Sequence, residues 1–283
     1  MSIRRFDSKE HAEAYKKYRP VFGEELFVRI MEYVWSSPVA RKPEGLTSKA
    51  DRLSLAADIG CGSGQSTKGL AKFFESVIGL DVSKEQIQQA IANNTLDNIQ
   101  FKVSTAEDLP LDAVSVDLVT VGMALHWFDW PTFYKEVDRI LKPGGVIAIY
   151  MHSLWLEVID HPKAPDLTSF LTALVREEPI YSYWHDRDRC VDARYTEEGL
   201  QIPYPDTERD ESMALYITTN IEGLFGYLST GSPLNCYRNA HEEKWDTFWS
   251  DTINRFCELY GSTDMSSPLK YKLQVYLLLG RKP

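Results

Sequence analysis

The sequence predicts an α/β fold built on a mostly parallel sheet with helices on both faces. Short apolar runs alternate with helix-like segments from Leu55 to Tyr150, as expected for such a sheet. The first apolar run leads into three alternate glycines, Gly60 to Gly64, which predict a tight turn after a strand. The second run ends in Asp81. An acid at a strand end is typical of nucleotide-binding sheets.

The first 54 residues predict a helical element that precedes the sheet. Residues 6–18 read as helix, and Pro20 interrupts the pattern. A second helix is predicted from Phe22 to Trp35, because its apolar residues recur at helical spacing. Residues 36–54 contain prolines, a glycine and many charges, and so predict a loop.

Residues 55–151 predict the nucleotide-binding core, with a helix after each of three strands. A helix-like segment follows the glycines from Gln65 to Phe74. Ser83 is the expected N-cap of a helix that reaches Asn94. Pro131 fits the first position of a helix that ends at Leu141, where residues 142–145 should stop it. The predicted strands are Leu55–Ile59, Ser76–Leu80, Asn98–Val103, Val116–Val121 and Val146–Met151.

Residues 152–268 do not continue the alternation and are rich in aromatic and acidic side chains. We interpret them as a cap over the C-terminal edge of the sheet that supplies a substrate pocket. Within the cap, helices are predicted at Leu167–Glu177 and Glu242–Leu259. Residues 269–283 contain a final strand-like run, Lys272–Leu279.

The composition favours a soluble cytoplasmic protein rather than a nucleic-acid or membrane protein. The net charge is −10, and residues 151–283 alone carry 21 acidic and 13 basic side chains. A nucleic-acid partner requires a basic face instead. The four cysteines form no C-x-x-C pair, the six histidines have no ligand spacing, and no long apolar run occurs. We therefore expect no metal site, no membrane segment, and a monomer or weak homodimer.

The glycine turn matches one of three nucleotide-binding types. No G-x-x-x-x-G-K-[ST] run occurs, which excludes a P-loop. The dinucleotide pattern G-x-G-x-x-G fails in both frames, at Gln65 and at Thr67. An acid two residues before the first glycine, Asp58, distinguishes the third type. The stretch Asp58 to Gly64 resembles motif I of class I S-adenosylmethionine-dependent methyltransferases.

Further motifs resemble the trans-aconitate methyltransferase-like branch of that family. They are residues 14–20 (Ala-Tyr-x-x-Tyr-Arg-Pro), 62–67 (Gly-x-Gly-Gln-x-Thr), 123–129 (Met-Ala-Leu-His-Trp-Phe-Asp) and 141–145 (Leu-Lys-Pro-Gly-Gly). After residue 151 the resemblance rests on residues 226–230 and the final strand, and Gly231 and Ser232 depart from the branch pattern. The resemblance implies a Rossmann-like, seven-stranded, mostly parallel sheet whose last strand is antiparallel beside the fifth.

The resemblance also implies S-adenosylmethionine as cofactor, with S-adenosylhomocysteine as product. The glycine turn would hold the methionine end, Asp81 the ribose, and the turn after the third strand the adenine. The N-terminal element would fold over the cofactor. The implied cofactor-binding residues are Tyr15, Tyr18, Arg19, Asp58, Gly60, Cys61, Gly62, Gly64, Gln65, Asp81, Val82, Ala106, Glu107, Met123 and Ala124.

The chemistry expected is in-line methyl transfer to a small-molecule acceptor. His126 is the candidate general base, although a structural histidine bonded within its own loop fits the sequence as well. The substrate-binding candidates are His126, Trp127 and Tyr227. The branch resemblance favours a carboxylate oxygen as the acceptor, which needs no base, while the acidic second half favours an amine. A catalytically silent S-adenosylmethionine-binding protein and a macromolecule methyltransferase are the remaining hypotheses.

Overall fold

The chain folds into two compact units. The computed structural model describes residues 17–36 and 52–283. The core unit comprises Val21–His152, Ala193–Met213 and Val275–Pro283. The unit here called the aromatic unit comprises residues 17–20, Ser153–Asp192 and Ala214–Gln274. Most of the helix predicted over 6–18 and of the loop predicted over 36–54 lies outside the described residues.

A single sheet has the strand order β3-β2-β1-β4-β5-β8-β6, and β7 also pairs with β8. Strands β1 to β5 are parallel to their neighbours in this series, whereas β6 and β7 are antiparallel to β8. The strands are β1 Leu53–Ile59, β2 Phe74–Asp81, β3 Ile99–Val103, β4 Val116–Gly122, β5 Leu141–Ile159, β6 Asp206–Asp210, β7 Ala214–Asn220 and β8 Pro268–Arg281.

The predicted α/β class, mostly parallel sheet and placement of the last strand beside the fifth are confirmed. The sheet has eight strands rather than seven. Strand β8 is 14 residues long. It is therefore long enough to pair with β7 through its first half and with β6 through its last residues.

Eight α-helices lie in the described part of the chain. Ser83 caps α2 as predicted, since its hydroxyl accepts the Gln86 amide. The predicted helix from Gln65 to Phe74 is wrong, because the chain forms one 3₁₀ turn at Thr67–Leu70 and then enters β2 at Phe74. The helices are α1 Glu24–Trp35, α2 Lys84–Ala92, α3 Trp130–Ile140, α4 Ala164–Arg176, α5 Asp186–Asp192, α6 Ile221–Ser229, α7 Ser232–Ala240 and α8 Glu242–Tyr260.

Strand β5 is the largest difference from the sequence prediction. It begins at Leu141, directly after α3, and so residues 142–145 belong to the strand instead of separating helix from strand. Gly144 adopts a positive φ of 78° and donates its amide to the Lys282 carbonyl. That bond ties the beginning of β5 to the end of the chain.

Helix α1 is anchored on the core unit by its apolar face. The ring of Phe27 packs edge-on against the fully buried ring of Tyr150, with the centroids 6.4 Å apart. Arg29 donates to Asp210 at 2.7 Å and so links α1 to β6. No helix in the described residues has both the length and the apolar character required to cross a bilayer.

Candidate active site

The glycine turn forms at the C-terminal end of β1 in the core unit. Gly60, Gly62 and Gly64 have φ of 70°, 53° and 78°, a region that side chains with a Cβ seldom adopt. The amides of Gly60 and Cys61 both donate to the Leu80 carbonyl of β2. The turn is therefore fixed to the neighbouring strand by its main chain.

The three glycines face different surroundings. A Cβ on Gly60 would lie 2.6 Å from the Cβ of Ala124, and a Cβ on Gly64 would lie 2.5 Å from the Phe101 ring. Those two glycines are thus required by close packing. A Cβ on Gly62 would meet nothing nearer than the Gln86 Oε1 atom at 3.9 Å. Gly62 is the glycine at which a ligand can approach the main chain.

Asp81 joins the glycine turn to the end of β2. One carboxylate oxygen accepts the Gly62 amide at 2.8 Å, and the other accepts the Ser83 amide at 2.9 Å. A carboxylate has about four acceptor positions, so each oxygen can still accept a further hydrogen bond. Val82, the next residue, has a 69% exposed side chain. An acceptor beside an exposed apolar side chain suits the ribose and base of a nucleoside.

Asp58 is buried beneath the turn. Its two oxygens accept hydroxyls from Thr67 at 2.6 Å and from Thr120 at 2.8 Å. Burial raises the pKa of Asp58 to about 6, although these hydroxyls lower it in part. With 1% of its surface exposed, Asp58 holds β1, β4 and the 3₁₀ turn together. The structure therefore gives it a positioning role rather than an exposed binding surface.

The turns after β3 and β4 are linked to each other. Ala106 is buried, and a carboxylate oxygen of Glu107 accepts the Asp129 amide at 2.8 Å. Ala124 packs on Gly60, as described above, so the turn after β4 also touches the glycine turn. The turns that follow β1, β2, β3 and β4 therefore lie together at one edge of the core unit, as expected where parallel strands end.

Met123 and His126 lie in the turn after β4, and both make contacts within the core unit. Met123 has a positive φ of 55°, and its thioether sulfur accepts the His152 amide. His126 is 5% exposed, and its Nδ1 atom lies 2.5 Å from the Tyr195 hydroxyl. Trp127, the next residue, remains 37% exposed.

Cys61 packs against β2, whereas Gln65 lines a cavity beside α1. The Cys61 sulfur lies 3.0 Å from the position of a Cβ on Gly79, so the thiol packs against β2. Burial raises the pKa of this thiol well above its usual range, and it therefore stays protonated. Gln65 lines a cavity of about 480 Å³ that is also bordered by Phe22 and Phe27 of the α1 region.

Three other cofactor-binding candidates come from the N-terminal element. Tyr15 is outside the described residues, while Tyr18 and Arg19 belong to the aromatic unit. Arg19 donates from Nε to the Thr230 hydroxyl at 2.9 Å and from Nη2 to the Thr230 carbonyl at 3.0 Å. The Tyr18 ring packs on helix α6, 2.5 Å from where a Cβ on Gly226 would stand.

Tyr227 is also a residue of the aromatic unit. Its ring is 6% exposed and stacks on the ring of Tyr271, with the centroids 5.8 Å apart. The Arg19 guanidinium lies 5.4 Å from the Tyr227 ring centroid. Arg19 and Tyr227 therefore contribute to one packed cluster within this unit.

Sequence reasoning missed two groups of site residues. Thr67 and Thr120 bind Asp58, and Thr67 could have been found because it ends the Gly-x-Gly-Gln-x-Thr motif. Tyr195 contacts His126 across 69 residues of sequence, and no local pattern marks it. Its position depends on the chain from 193 to 213 folding with the core unit.

The residues of the turns fit an adenosyl cofactor with an amino-acid tail. The open main chain at Gly62 leaves room for such a ligand, and Asp81 retains acceptor positions for the ribose hydroxyls. Val82 offers exposed apolar surface that suits the base. These features are present in the chain itself and need no rearrangement of the glycine turn.

Comparison with known proteins points to one kind of enzyme. A model of the methyltransferase domain matches residues 57–149. A Dictyostelium discoideum protein provisionally named a methyltransferase is 29% identical, over 98% of this chain and 96% of its own length. A Saccharomyces cerevisiae protein named as a probable S-adenosylmethionine-dependent methyltransferase is 26% identical, over 83% of this chain and 87% of its own.

A solved structure extends the similarity to the fold. It is a protein of Anaeromyxobacter dehalogenans, provisionally titled a type II methyltransferase. It is 26% identical to this chain and superposes with a TM-score of 0.69, over 93% of this chain and 98% of its own. The similarity thus covers nearly the whole length of both proteins, including the aromatic unit.

Proposed function

We propose that this chain, which is a class I S-adenosylmethionine-dependent methyltransferase, transfers the methyl group to a carboxylate oxygen of a small molecule. The observation that carries the proposal is the meeting of four strand-end turns around the open main chain of Gly62. Membership of the trans-aconitate methyltransferase-like branch remains a prediction, and it is the reason for favouring an acid.

The core unit would hold the cofactor through its main chain and the carboxylate of Asp81. Asp81 would accept the ribose hydroxyls while keeping its bonds to the turn, and Val82 and Ala106 would border the base. Asp58 keeps the turn in shape from below through its two threonine hydroxyls. Met123 and Ala124 would border the reacting end, because they occupy the turn in contact with Gly60.

The cofactor supplies a methyl group that is already activated on a sulfonium, so the protein mainly has to align the acceptor and exclude water. His126 would orient the acceptor, with Trp127 beside it. His126 and its partner Tyr195 are both buried.

An amine acceptor is the second candidate. Residues 151–283 carry a net charge of −8, which favours a cationic substrate over an anionic one. At neutral pH most alkyl amines are ammonium ions, which must lose a proton before the nitrogen can accept a methyl group, so His126 would then have to act as a base.

A panel of acids and amines tests the proposal. Purified protein would be incubated with methyl-labelled cofactor and with mono-, di- and tricarboxylic acids or primary to tertiary amines. We expect base-labile methyl esters from at least one class of acid. Label in amines alone would overturn the carboxylate assignment. Cofactor binding without transfer to either class would indicate a silent binding protein.

A further inference from the structure

The turns that follow β1 to β4 are joined in a closed ring of contacts, and Glu107 supplies one of its links. The Asp81 carboxylate accepts the Gly62 amide at 2.8 Å, and the Asp81 carbonyl accepts the Ser104 amide at 3.0 Å. The turn after β2 is thus bonded both to the glycine turn and to the turn after β3. One carboxylate oxygen of Glu107 accepts the Asp129 amide at 2.8 Å. This hydrogen bond connects the turn after β3 to the turn after β4.

The turn after β4 closes the ring on the glycine turn. The Ala124 Cβ lies 2.6 Å, and the Phe128 ring 3.1 Å, from where a Cβ on Gly60 would stand. The Phe128 amide donates to the Leu125 carbonyl at 3.1 Å, which holds the ring in this turn. Because Asp129 follows Phe128 directly, a bond to the Asp129 amide fixes the chain beside the ring that packs on Gly60.

Glu107 also completes the beginning of α3 from another part of the chain. Asp129 is the N-cap residue of α3, and its side chain accepts no amide of the helix. In a capping box, a glutamate three residues further on accepts the N-cap amide. Thr132 occupies that position here, and Glu107 accepts the amide instead. A bond that a capping box makes within one helix therefore joins two turns of the site.

We propose that Glu107 is a positioning residue for the cofactor, which sets the affinity for S-adenosylmethionine through Asp129 and the turn after β4 and not by accepting the adenine amine. A carboxylate that already accepts a main-chain amide holds both turns in place before the cofactor binds. Such preorganisation reduces the ordering cost of binding. The inference rests on the placement of the cofactor in the proposed function, but not on the choice of acceptor.

Two ligands that differ only in the base test whether Glu107 contacts the adenine amine. In S-inosylhomocysteine an oxygen replaces the exocyclic amine of S-adenosylhomocysteine. In calorimetric titrations, Glu107→Ala should weaken binding of both ligands about tenfold, or about 1.4 kcal/mol. The ratio of the two Kd values should stay within twofold of the wild-type ratio. A ratio that falls toward one in Glu107→Ala would show contact with the amine and overturn the inference.

Matched variants separate this link from a general loss of stability. Glu107→Gln keeps an oxygen that can accept the Asp129 amide, and it should bind S-adenosylhomocysteine within threefold of wild type. Glu136→Ala is the control, because Glu136 of α3 also accepts an amide from the chain after β3, that of Leu109 at 2.9 Å. Glu136 lies seven residues beyond Asp129, so its loss should lower stability and keep the Kd. Equal losses of affinity in Glu136→Ala and Glu107→Ala would overturn the inference.

A second pair of variants breaks the same hydrogen bond from its other side. Asp129 has a φ of −83°, close to the range of proline, and Phe128 before it is extended with a ψ of 161°. Asp129→Pro removes the amide donor, whereas Asp129→Ala removes only the side chain. We expect Asp129→Pro to match the tenfold loss of Glu107→Ala, and Asp129→Ala to bind like wild type. The double variant should lose no more than either single variant, and additive losses would overturn the inference.

The outcomes also separate this inference from the proposed function. If wild-type protein does not bind S-adenosylhomocysteine, the proposed function fails and the inference fails with it. If wild-type protein binds it and Glu107→Ala binds it equally well, the positioning role alone is wrong.

Discussion

Asp58 illustrates how a single buried residue can hold the glycine turn in shape. Its oxygens accept from two threonines on different elements, so the carboxylate fixes the base of the glycine turn. Burial raises its pKa from an ordinary 3.8 to about 6. The folded state therefore keeps the proton in a pH range in which the unfolded chain has already lost it.

This pKa shift predicts a pH-dependent stability difference. Between about pH 4 and pH 6 the folded state binds more protons at Asp58 than the unfolded state, so stability falls as pH rises. The free energy of unfolding of wild-type protein, relative to Asp58→Asn, should fall by up to roughly 3 kcal/mol from pH 4 to pH 7. Urea unfolding of both proteins at several pH values measures this difference in the free energy of unfolding.

Asp210→Asn provides a control of opposite sign. Burial opposes ionisation of Asp210, but hydrogen bonds from Ser212 and Arg29 lower its pKa. Wild-type protein should therefore gain stability relative to Asp210→Asn as the pH rises from acid. A pH-independent difference for Asp58→Asn would contradict the assigned burial of its carboxylate.

Residue spacing predicted some of the site and not the rest. The proximity of Gly62 and Asp81 follows from a local rule, because parallel neighbours place their strand ends together. Their hydrogen bond is consistent with that rule. The partnership of His126 with Tyr195 could not be predicted, since it depends on a segment folding back onto the core unit.

At the scale of elements, helix propensity and a capping residue predicted α2 correctly, whereas the helix predicted after the glycine turn was wrong. Ser83 precedes α2 with an extended backbone and accepts the Gln86 amide, a regular N-cap. By contrast, the segment after Gly64 contains Gly69. The Phe27 ring lies 2.3 Å from the position that a Cβ on Gly69 would occupy, so only glycine leaves room for it. Packing against α1 therefore favours a single 3₁₀ turn there over a longer helix.

The N-cap leads to a direct stability prediction. Ser83→Ala removes the acceptor for the Gln86 amide and should lower the free energy of unfolding by about 1 kcal/mol. Denaturant unfolding at constant pH measures this change. Ser169→Ala is the control, because Ser169 is an exposed residue inside α4 and alanine favours helix. A Ser83→Ala protein no less stable than the control would exclude a capping role.

Strand lengths were the least predictable feature of the elements. Strand β5 has 19 residues, where the apolar run alone indicated six. The added residues are held by pairing rather than by their own hydrophobic pattern. Strand β6, Asp-Thr-Glu-Arg-Asp, has no apolar residue and is a strand because it pairs with the end of β8.

At the scale of the whole molecule, charge bears on the choice of partner. A net charge of −10 opposes binding to nucleic acid, which requires cationic groups to neutralise its phosphates. In the test, methyl-labelled cofactor is added to a cell lysate together with the protein. We predict that the label is recovered in the small-molecule fraction. Heat-inactivated protein is the control. Label confined to protein or nucleic acid would revive a macromolecular acceptor.

The central claim is that the strand-end turns around Gly62 bind S-adenosylmethionine, and calorimetric titration with S-adenosylhomocysteine tests it most directly. Gly144→Val is the matched control, since Gly144 also has a positive φ and no atom within 4 Å of an added Cβ. We predict that wild-type protein and Gly144→Val bind with similar Kd, while Gly62→Val loses at least a hundredfold. Equal affinity for Gly62→Val and wild-type protein, or no binding to the wild type, would contradict the claim.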